Sequence, residues 1–264
     1  MSTYVIGDIH GCYDWLREMI DDTIRLSDAD TLYMVGDYID RGDQNVEVMN
    51  WLEHLPDNIL PVRGNHDENF AYYVYLMKQV NAIREGGAAD PDSNADTLRL
   101  YLDTVNTLEK IDRMAASYFD MYDTLIHILS KCGVTLSDLD RWAEMFRSFP
   151  LYREVTVNDR RCIIVHAGYK EGIHDEDEQK SFFLEERERA YTDGGIPDGM
   201  VIAGHTPTLI EGQFVFNNGQ VFRYFDRQKN CIFYDIDCGG VFRDQDPRAR
   251  LACIRLEDEK TFYV

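Results

Sequence analysis

The sequence has few basic residues for its size and contains no long run of apolar residues. Its 27 lysines and arginines stand against 48 aspartates and glutamates, which gives a formal net charge of −21. A surface of this charge repels polyanions, and no basic stretch could follow a nucleic-acid backbone, so we expect no nucleic-acid partner. Without an apolar run of bilayer length or a secretory leader, we expect a cytoplasmic protein that does not associate with membranes.

The six cysteines include no CxxC pair, which gives no support to a cysteine-based zinc cluster. A chain of 264 residues with 44% hydrophobic residues can bury a core that is stable without disulfide bonds. Reduced, mostly buried thiols are therefore expected. The length also favours one large domain over two.

The chain divides into three parts that differ in the spacing of their apolar residues. The first alternates the apolar runs "TYVIG", "TLYMVG" and "NILPVRG" with amphipathic segments, a pattern that predicts a βαβαβ unit. From about 68 to 147, apolar residues recur at helical spacing, which predicts a helical block. After Pro150 come short β-rich runs, which predict a second sheet: "YREVTV", "RCIIVHAG", "MVIAGHT", "QFVFNN", "CIFYDID" and "LACIRLED".

Polar side chains follow apolar strands at five places in the chain. The motifs are "GDIHG", "GDYIDRG", "GNHD", "VHAG" and "AGHT". Adjacent parallel strands lie about 4.8 Å apart and their carboxyl ends meet at one edge of a sheet, so side chains distant in sequence converge there. The residues expected to converge are Asp8, His10, Asp37, Asp40, Asn65, His66, His166 and His205.

These side chains offer carboxylate oxygens, one amide oxygen and several imidazole nitrogens. A mixed oxygen and nitrogen set suits Mn, Fe, Zn or Ni, and it suits calcium or a thiophilic ion poorly. One ion could hardly use every donor, whereas two divalent ions about 3.5 to 4 Å apart would use the whole set. Asp37 follows the central strand of the first three and is the natural bridge between the ions.

The five motifs, in this order, resemble the signature series of the metal-dependent phosphoprotein phosphatase (PPP) family. This family belongs to the calcineurin-like metallophosphoesterases, and the resemblance, which spans Gly7 to Thr206, is to its small bacterial and phage members. It implies an α/β fold in which two mixed β-sheets pack as a sandwich flanked by helices. The chain would be a single domain over 1–264, with the helical block of about 68–148 as an insertion.

The resemblance also assigns the metal ligands. One ion would be held by Asp8, His10 and Asp37. The other would be held by Asp37, Asn65, His166 and His205. The implied cofactor is therefore a pair of divalent metal ions, with Mn expected in vitro and Fe, Zn or Ni as further options.

The remaining roles that the resemblance implies concern protons and phosphate. His66 would be the general acid that protonates the leaving oxygen, and Asp40 would orient its imidazole and keep it protonated. Arg41 would bind the phosphate. For a second phosphate-binding arginine Arg187 is the best match by position, and Arg189 close by leaves that assignment open.

The activity that the resemblance implies is that of a protein serine/threonine phosphatase, acting on a phosphorylated protein or a small phosphate ester. A hydroxide that bridges the two metal ions would attack the phosphorus directly, without a phosphoenzyme. A first alternative is hydrolysis of diadenosine tetraphosphate, because relatives with that activity share "GDIHGCYD" closely. Against it stands Asp40, since that branch usually lacks the aspartate at this position.

A second alternative, from a different class, is a metal-free binding protein that keeps the fold without catalysis. It is opposed by the sequence, in which every ligand position is filled. The sequence leaves two possible roles for the helical block. It could cap the metal site and select the substrate, or it could be a bundle packed away from the site.

Overall fold

The computed structural model describes residues 1–85, 95–112, 121–131 and 134–264. These residues divide into two units, one comprising 1–65 with 149–264 and the other comprising 66–148. The interruption of the helical block at 86–94 and Cys132 lie outside the described residues. The described cysteines form no disulfide bond with one another. Within the same ranges, no helix is both long and apolar enough to cross a membrane.

The first unit contains a mixed sheet built from the two ends of the chain. Its parallel strands are β1 (Thr3–Ile6), β2 (Thr31–Met34) and β3 (Ile59–Pro61), as the βαβαβ pattern predicts. The crossovers contain α1 (Tyr13–Arg17), which continues as a π-helix over Glu18–Thr23, and α2 (Asn45–Leu52).

The same sheet is completed by two strands from the end of the chain. They are β9 (Ala252–Arg255), which lies antiparallel to β1, and β10 (Lys260–Tyr263), which lies antiparallel to β9. The run "LACIRLED", which the sequence predicts for the second sheet, contains β9, so that prediction is wrong. The strand pairs with β1 instead, with Ile254 opposite Val5. The resulting strand order is β10-β9-β1-β2-β3. The parallel strands β1 and β2 are therefore central, and the edge at their carboxyl ends is where "GDIHG" and "GDYIDRG" begin.

A second mixed sheet forms after Pro150. Its strands are β4 (Tyr152–Val157), β5 (Arg160–Val165), β6 (Met200–Ala203), β7 (Phe222–Asp226) and β8 (Cys231–Asp235). The order is β4-β5-β6-β8-β7, with β5, β6 and β8 parallel and the two edge strands antiparallel to their neighbours. Helices α7 (Glu176–Glu185) and α8 (Glu188–Thr192) connect β5 to β6.

The run "QFVFNN" at 213–218, which the sequence predicts as a strand, is a loop, so that prediction is wrong. The backbone N–H groups of Asn217 and Gly219 donate to the carbonyl oxygen of Thr208 at 2.8 and 3.3 Å. The segment therefore closes on itself instead of pairing in a sheet, and this context overrides its β-propensity. Phe214 and Phe216 are exposed as a result.

The two sheets face each other across one hydrophobic core. Val5 of the first sheet lies in the same buried cluster as Ile164 and Ile202 of the second. On the other face of the second sheet, Phe182 and Phe183 of α7 form part of a separate cluster. Burial of each such side chain stabilises the fold by about 1.5–3 kcal/mol. The predicted α/β fold, with two mixed sheets in a sandwich flanked by helices, is confirmed.

The second unit is mainly helical in its described residues. Its helices are α3 (Asn65–Glu85), α4 (Ala95–Asp112), α5 (Tyr122–Ser130) and α6 (Leu136–Ser148). Within it, the rings of Phe70 and Phe146 meet edge to face at 5.6 Å, and Lys78 Nζ pairs with Asp140 Oδ1 at 2.6 Å. That this block is an insertion in a single domain over 1–264 stays a prediction.

Candidate metal centre

The predicted ligand residues follow the carboxyl ends of five strands and are buried. Each is separated from its strand by no more than a few residues, and none is more than 6% exposed. β1, β2 and β3 belong to the first sheet and β5 and β6 to the second. In each sheet the aligned parallel strands deliver these residues to the edge at their carboxyl ends, where open α/β folds bind ligands. The residues and their strands are Asp8 and His10 after β1, Asp37 after β2, Asn65 after β3, His166 after β5 and His205 after β6.

Asp37, His166 and His205 bring their potential ligand atoms within 4.8 Å of one another. His166 Nε2 lies 3.4 Å from Asp37 Oδ2 and 3.2 Å from His205 Nδ1. Asn65 Oδ1 joins the group, 2.8 Å from His166 Nε2 and 3.2 Å from His205 Nδ1. The structure therefore places the four residues predicted for one metal ion together.

The amide oxygen of Asn65 faces only atoms that accept hydrogen bonds. If the amide were turned, its NH₂ would donate to both histidines and, at 3.2 and 3.3 Å, to the two oxygens of Asp37. A cation satisfies the same acceptors without turning the amide, because it binds oxygen and nitrogen lone pairs directly. The donor set thus fits a divalent metal ion.

Asp37 also approaches the second predicted set. Its Oδ2 lies 3.6 Å from His10 Nε2, and the charge of Asp37 acts on Asp8. Asp8 Oδ2 accepts a hydrogen bond from the backbone N–H of His205 at 3.0 Å. Asp8 Oδ1 is buried and has no hydrogen-bond partner among the described residues. A buried carboxylate oxygen without a donor is costly unless a cation binds it.

Burial raises the pKa of Asp8 well above its ordinary value, and three neighbouring carboxylates raise it further. These neighbours, in order of effect, are Asp237, Asp37 and Asp235. Without positive charge, this cluster disfavours its own ionisation. Bound divalent cations would reverse that effect, so the electrostatics of the site also favour metal binding.

Two imidazoles are oriented by backbone carbonyls. His166 Nδ1 lies 3.0 Å from Val35 O, and His10 Nδ1 lies 3.1 Å from Ile39 O. In a neutral imidazole an Nδ1–H that donates to a carbonyl leaves the lone pair on Nε2, the atom that lies 3.6 Å (His10) and 3.4 Å (His166) from Asp37 Oδ2. Metal-binding histidines are commonly fixed by such a bond from the other ring nitrogen.

The loops that carry the site hold several residues in the left-handed region. Their φ angles are 47° at His10, 52° at Asp37, 80° at Asp40, 69° at Arg41 and 71° at His205. Each such conformation costs a non-glycine residue on the order of 1 kcal/mol or more and persists only where the surroundings enforce it. These strained residues belong to the loops that carry the predicted ligands.

Gly204 leaves room for a metal-binding carboxylate. A Cβ atom at this position would overlap Asp8 Oδ1. We therefore expect Gly204→Ala to displace the Asp8 carboxylate and to lower bound metal about tenfold or more, since misplacing a ligand weakens a metal site. Metal content after gel filtration in Mn-containing buffer measures this.

The control for Gly204→Ala is Gly212→Ala, because a Cβ at Gly212 would meet nothing within 4 Å. Gly212 has a φ of 88°, so alanine at this position strains the backbone. The added Cβ overlaps no other atom, which separates backbone strain from displacement of a ligand. Equal metal content in the two variants would contradict the assignment of Asp8.

The predicted phosphate-binding arginines differ in where they point. Arg41 Nη1 donates to His10 Nε2 at 3.0 Å. Arg187 Nη1 donates to Thr206 Oγ1 at 3.2 Å and to the carbonyl oxygen of His205 at 3.4 Å. Arg189 instead pairs with Glu186 at 2.6 Å, and its side chain is 61% exposed. Of the two neighbouring arginines, Arg187 is therefore the one beside a metal-ligand candidate.

Asp40 and His66 are described within different units. Asp40 is half-buried, and its Oδ1 accepts a hydrogen bond from the backbone N–H of Arg41 at 2.9 Å. His66 is 2% exposed and directly follows Asn65 in the first turn of α3. The general-acid role of His66 and the orienting role of Asp40 stay predictions.

Sequence reasoning missed two buried carboxylates at the end of β8. Asp235 and Asp237 are 2% and 4% exposed, and burial raises the pKa of each. Asp235 Oδ1 accepts from the backbone N–H of Asp237 at 3.0 Å, and Asp237 Oδ1 accepts from that of Gly239 at 2.9 Å. The sequence did offer a signal. The apolar run "CIFY" is followed by acidic residues, just as the apolar runs before the other motifs are followed by polar residues.

The chain is similar to one protein family and to several curated proteins. A family model described as calcineurin-like phosphoesterase matches residues 1–209. The chain is 44% identical over 69 residues to a symmetrical bis(5'-nucleosyl)-tetraphosphatase of Buchnera aphidicola, a match that covers 26% of this chain and 25% of the relative. It is 38% identical over 104 residues to the Shewanella loihica protein of the same name, covering 38% of each. Each match thus spans well under half of the relative.

Two solved structures resemble the whole chain. A candidate diadenosine tetraphosphatase superposes with a TM-score of 0.53 at 17% identity, covering 99% of this chain and 92% of that one. A metallophosphoesterase from Sphaerobacter thermophilus gives a TM-score of 0.51 at 14% identity, covering 100% and 87%. At these identities the two structures show similarity of fold alone.

Proposed function

Because the chain belongs to the calcineurin-like phosphoesterase family, we propose that it is a dinuclear metal-dependent hydrolase that cuts dinucleoside tetraphosphates symmetrically. The observation that carries the catalytic part is the set of acceptor atoms that meet around Asp37 at the strand ends. The substrate is supported by the symmetrical bis(5'-nucleosyl)-tetraphosphatases among its relatives. A symmetrical cut of the four-phosphate bridge yields two nucleoside diphosphates.

The ligand residues proposed for the two ions are those of the sequence prediction. One ion would be held by Asp8, His10 and Asp37, and the other by Asp37, Asn65, His166 and His205. When bound, two such ions supply Lewis acidity toward phosphate oxygens and a water of lowered pKa. The oxygen and nitrogen donors suit Mn, and also Fe, Zn or Ni.

The cationic side chains of the site would hold the polyphosphate. A guanidinium forms paired, charge-assisted hydrogen bonds with phosphate oxygens, a geometry that a lysine ammonium does not match. Arg41 donates to the lone pair of His10 Nε2 that a metal ion would take, so metal binding would free this guanidinium for phosphate. Arg187 beside Thr206 would bind a second phosphate group.

His66 would supply the proton that the leaving oxygen needs. An imidazole titrates near neutral pH, which suits proton transfer to a departing group. A nucleoside diphosphate departs more readily than an alkoxide, so its departure depends less on the acid. Asp40 would orient the imidazole.

A second candidate substrate class is a phosphate monoester such as phosphoserine or phosphothreonine in a protein. Asp40 favours it, because the motif "GDYIDRG" carries the aspartate that is usual in protein phosphatases. A monoester with an alkoxide leaving group needs a well-positioned general acid, and an aspartate partner for His66 would provide it.

The test is a panel of three substrates assayed with Mn: diadenosine tetraphosphate, a phosphoserine peptide and p-nitrophenyl phosphate. We expect the highest kcat/KM for the dinucleotide, by about tenfold or more over the peptide, and adenosine diphosphate as its sole product. Adenosine mono- and triphosphate as products would contradict the symmetrical cut. A preference for the peptide would replace the proposal with the second candidate, and an inactive, metal-free protein would refute both.

A further inference from the structure

A pocket of about 320 Å³ opens on the first unit, outside the metal centre. Three apolar side chains form part of its wall, and charged or amide groups form the rest. The apolar residues are Leu209, Ile210 and Phe242, and the polar ones are Glu211, Gln245, Asp246 and Arg248. The proposed function assigns no role to this pocket.

The pocket is lined by the segments that follow β6 and β8, the two strands whose ends carry His205 and Asp235. Leu209 is four residues beyond His205, a span of at most about 14 Å for an extended chain. The backbone N–H of Thr208 donates to the carbonyl oxygen of Asp237 at 2.9 Å. A Cβ atom at Gly239 would come within 3.0 Å of the Leu209 side chain. The segment after the β6 motif and the segment after β8 are therefore held together beside the metal centre.

The apolar part of the pocket suits a flat, uncharged group. Leu209 is 4% exposed, Phe242 is half-buried and Ile210 is 39% exposed. An apolar surface that includes an aromatic ring favours stacking and contact with a nucleobase over contact with a hydrated ion. The volume is within the range of small-molecule sites.

The polar part of the pocket is fixed in place and carries no excess positive charge. Arg248 Nη2 donates to Asp246 Oδ2 at 2.7 Å and Nη1 donates to Asn218 Oδ1 at 2.9 Å. Its charge is neutralised by Asp246, and Glu211 adds a further carboxylate. A phosphate group would be repelled, whereas the donors and acceptors of a base edge or a ribose could pair with these groups and with the Gln245 amide.

We propose that this pocket binds one nucleobase of the dinucleotide while the tetraphosphate bridge lies at the metal centre. This inference rests on the proposed function and adds to it the part of the protein that recognises the nucleoside. Its consequence is that the pocket contributes to binding of nucleotides and not to hydrolysis of phosphate esters that lack a base.

The kinetic test compares Ile210→Arg with a control, Phe225→Arg. Phe225 is 42% exposed on β7 and does not line the pocket, so its variant adds the same charge to the same unit. An added positive charge by itself favours a polyphosphate, so weaker binding reports the blocked pocket. We expect Ile210→Arg to raise KM for diadenosine tetraphosphate about tenfold, with kcat/KM for p-nitrophenyl phosphate unchanged. An unchanged KM, or equal losses on both substrates, would overturn the proposal.

A binding measurement separates this inference from the proposed function. Saturation-transfer NMR with adenosine, a probe that carries no phosphate, should show transfer to the adenine protons from the wild type and from Phe225→Arg. The signal should be lost in Ile210→Arg. A wild-type protein that gives no such transfer, or an Ile210→Arg variant that keeps it, overturns the pocket assignment. Absence of dinucleotide hydrolysis by the wild type would instead refute the proposed function alone.

Discussion

Replacement of Asp37 with asparagine is expected to remove bound metal and catalytic activity together. Asp37 Oδ2 lies 3.6 Å from His10 Nε2 and 3.4 Å from His166 Nε2, so one carboxylate serves both proposed ligand sets. Asparagine carries no negative charge, and a neutral amide oxygen is a much weaker bridging ligand for two cations than a carboxylate oxygen. The loss of metal-ion catalysis is worth several kcal/mol, which corresponds to a fall of about 10³-fold or more in kcat.

The measurement is metal content of the purified protein alongside turnover of p-nitrophenyl phosphate with Mn. A matched control is Asp22→Asn, which makes the same chemical change at an exposed residue of the π-helix after α1. The control should keep the metal content and activity of the wild type. An Asp37→Asn variant that held two ions tightly and turned over near-normally would remove the bridging role.

Replacement of His66 with asparagine should slow substrates according to their leaving groups. General acid catalysis contributes about 10²- to 10⁴-fold and matters most for a poor leaving group such as an alkoxide. We expect a loss in this range for a phosphoserine peptide and little change for p-nitrophenyl phosphate. Diadenosine tetraphosphate, with a better leaving group than an alkoxide, should be slowed less than the peptide.

His54→Asn is the control for this experiment, since His54 is an exposed histidine just beyond α2 and its ring bonds to the carbonyl oxygen of Asn50. Metal content should equal that of the wild type in both variants, because His66 is proposed as an acid and not as a ligand. Equal losses on all three substrates, or a loss of metal in His66→Asn, would rule out the assigned role.

Much of the fold was predictable because its parallel strands are short apolar runs that end in polar motifs. The runs that became β1, β2 and β3 are buried within the sheet and therefore show continuous apolar residues, as parallel strands do. Once those strands are parallel, Asp8, Asp37 and Asn65 must emerge at the same sheet edge. Their convergence follows from topology, so it needed no knowledge of side-chain contacts.

The contribution of β8 was not predictable in the same way. Asp235 and Asp237 lie at the site because β8 pairs parallel with β6, although the chain forms β7, an antiparallel edge strand, between them and not a crossover helix. The acidic residues after "CIFY" resemble an ordinary turn, since aspartate is also common there. The loop at 213–218 is the opposite case, because its sequence has high β-propensity but does not form a strand. Backbone N–H groups of Asn217 and Gly219 bond to the carbonyl oxygen of Thr208 instead.

Arg187 and Arg189 could not be distinguished from the sequence because they are two residues apart in the same charged segment. The structure separates them through Glu186, whose carboxylate accepts from Arg189 Nε at 2.7 Å. Arg187 is left to donate toward His205 and Thr206. A choice of this kind depends on side-chain partners, which periodicity and motif spacing do not encode.

The central claim is that the strand ends around Asp37 hold two metal ions. Anomalous X-ray diffraction from crystals of the Mn-loaded protein tests it most directly. The account predicts two anomalous peaks about 3.5–4 Å apart, one beside His10 and one beside His166, with Asp37 in contact with both. A single peak, or peaks that lie away from Asp37, would contradict it.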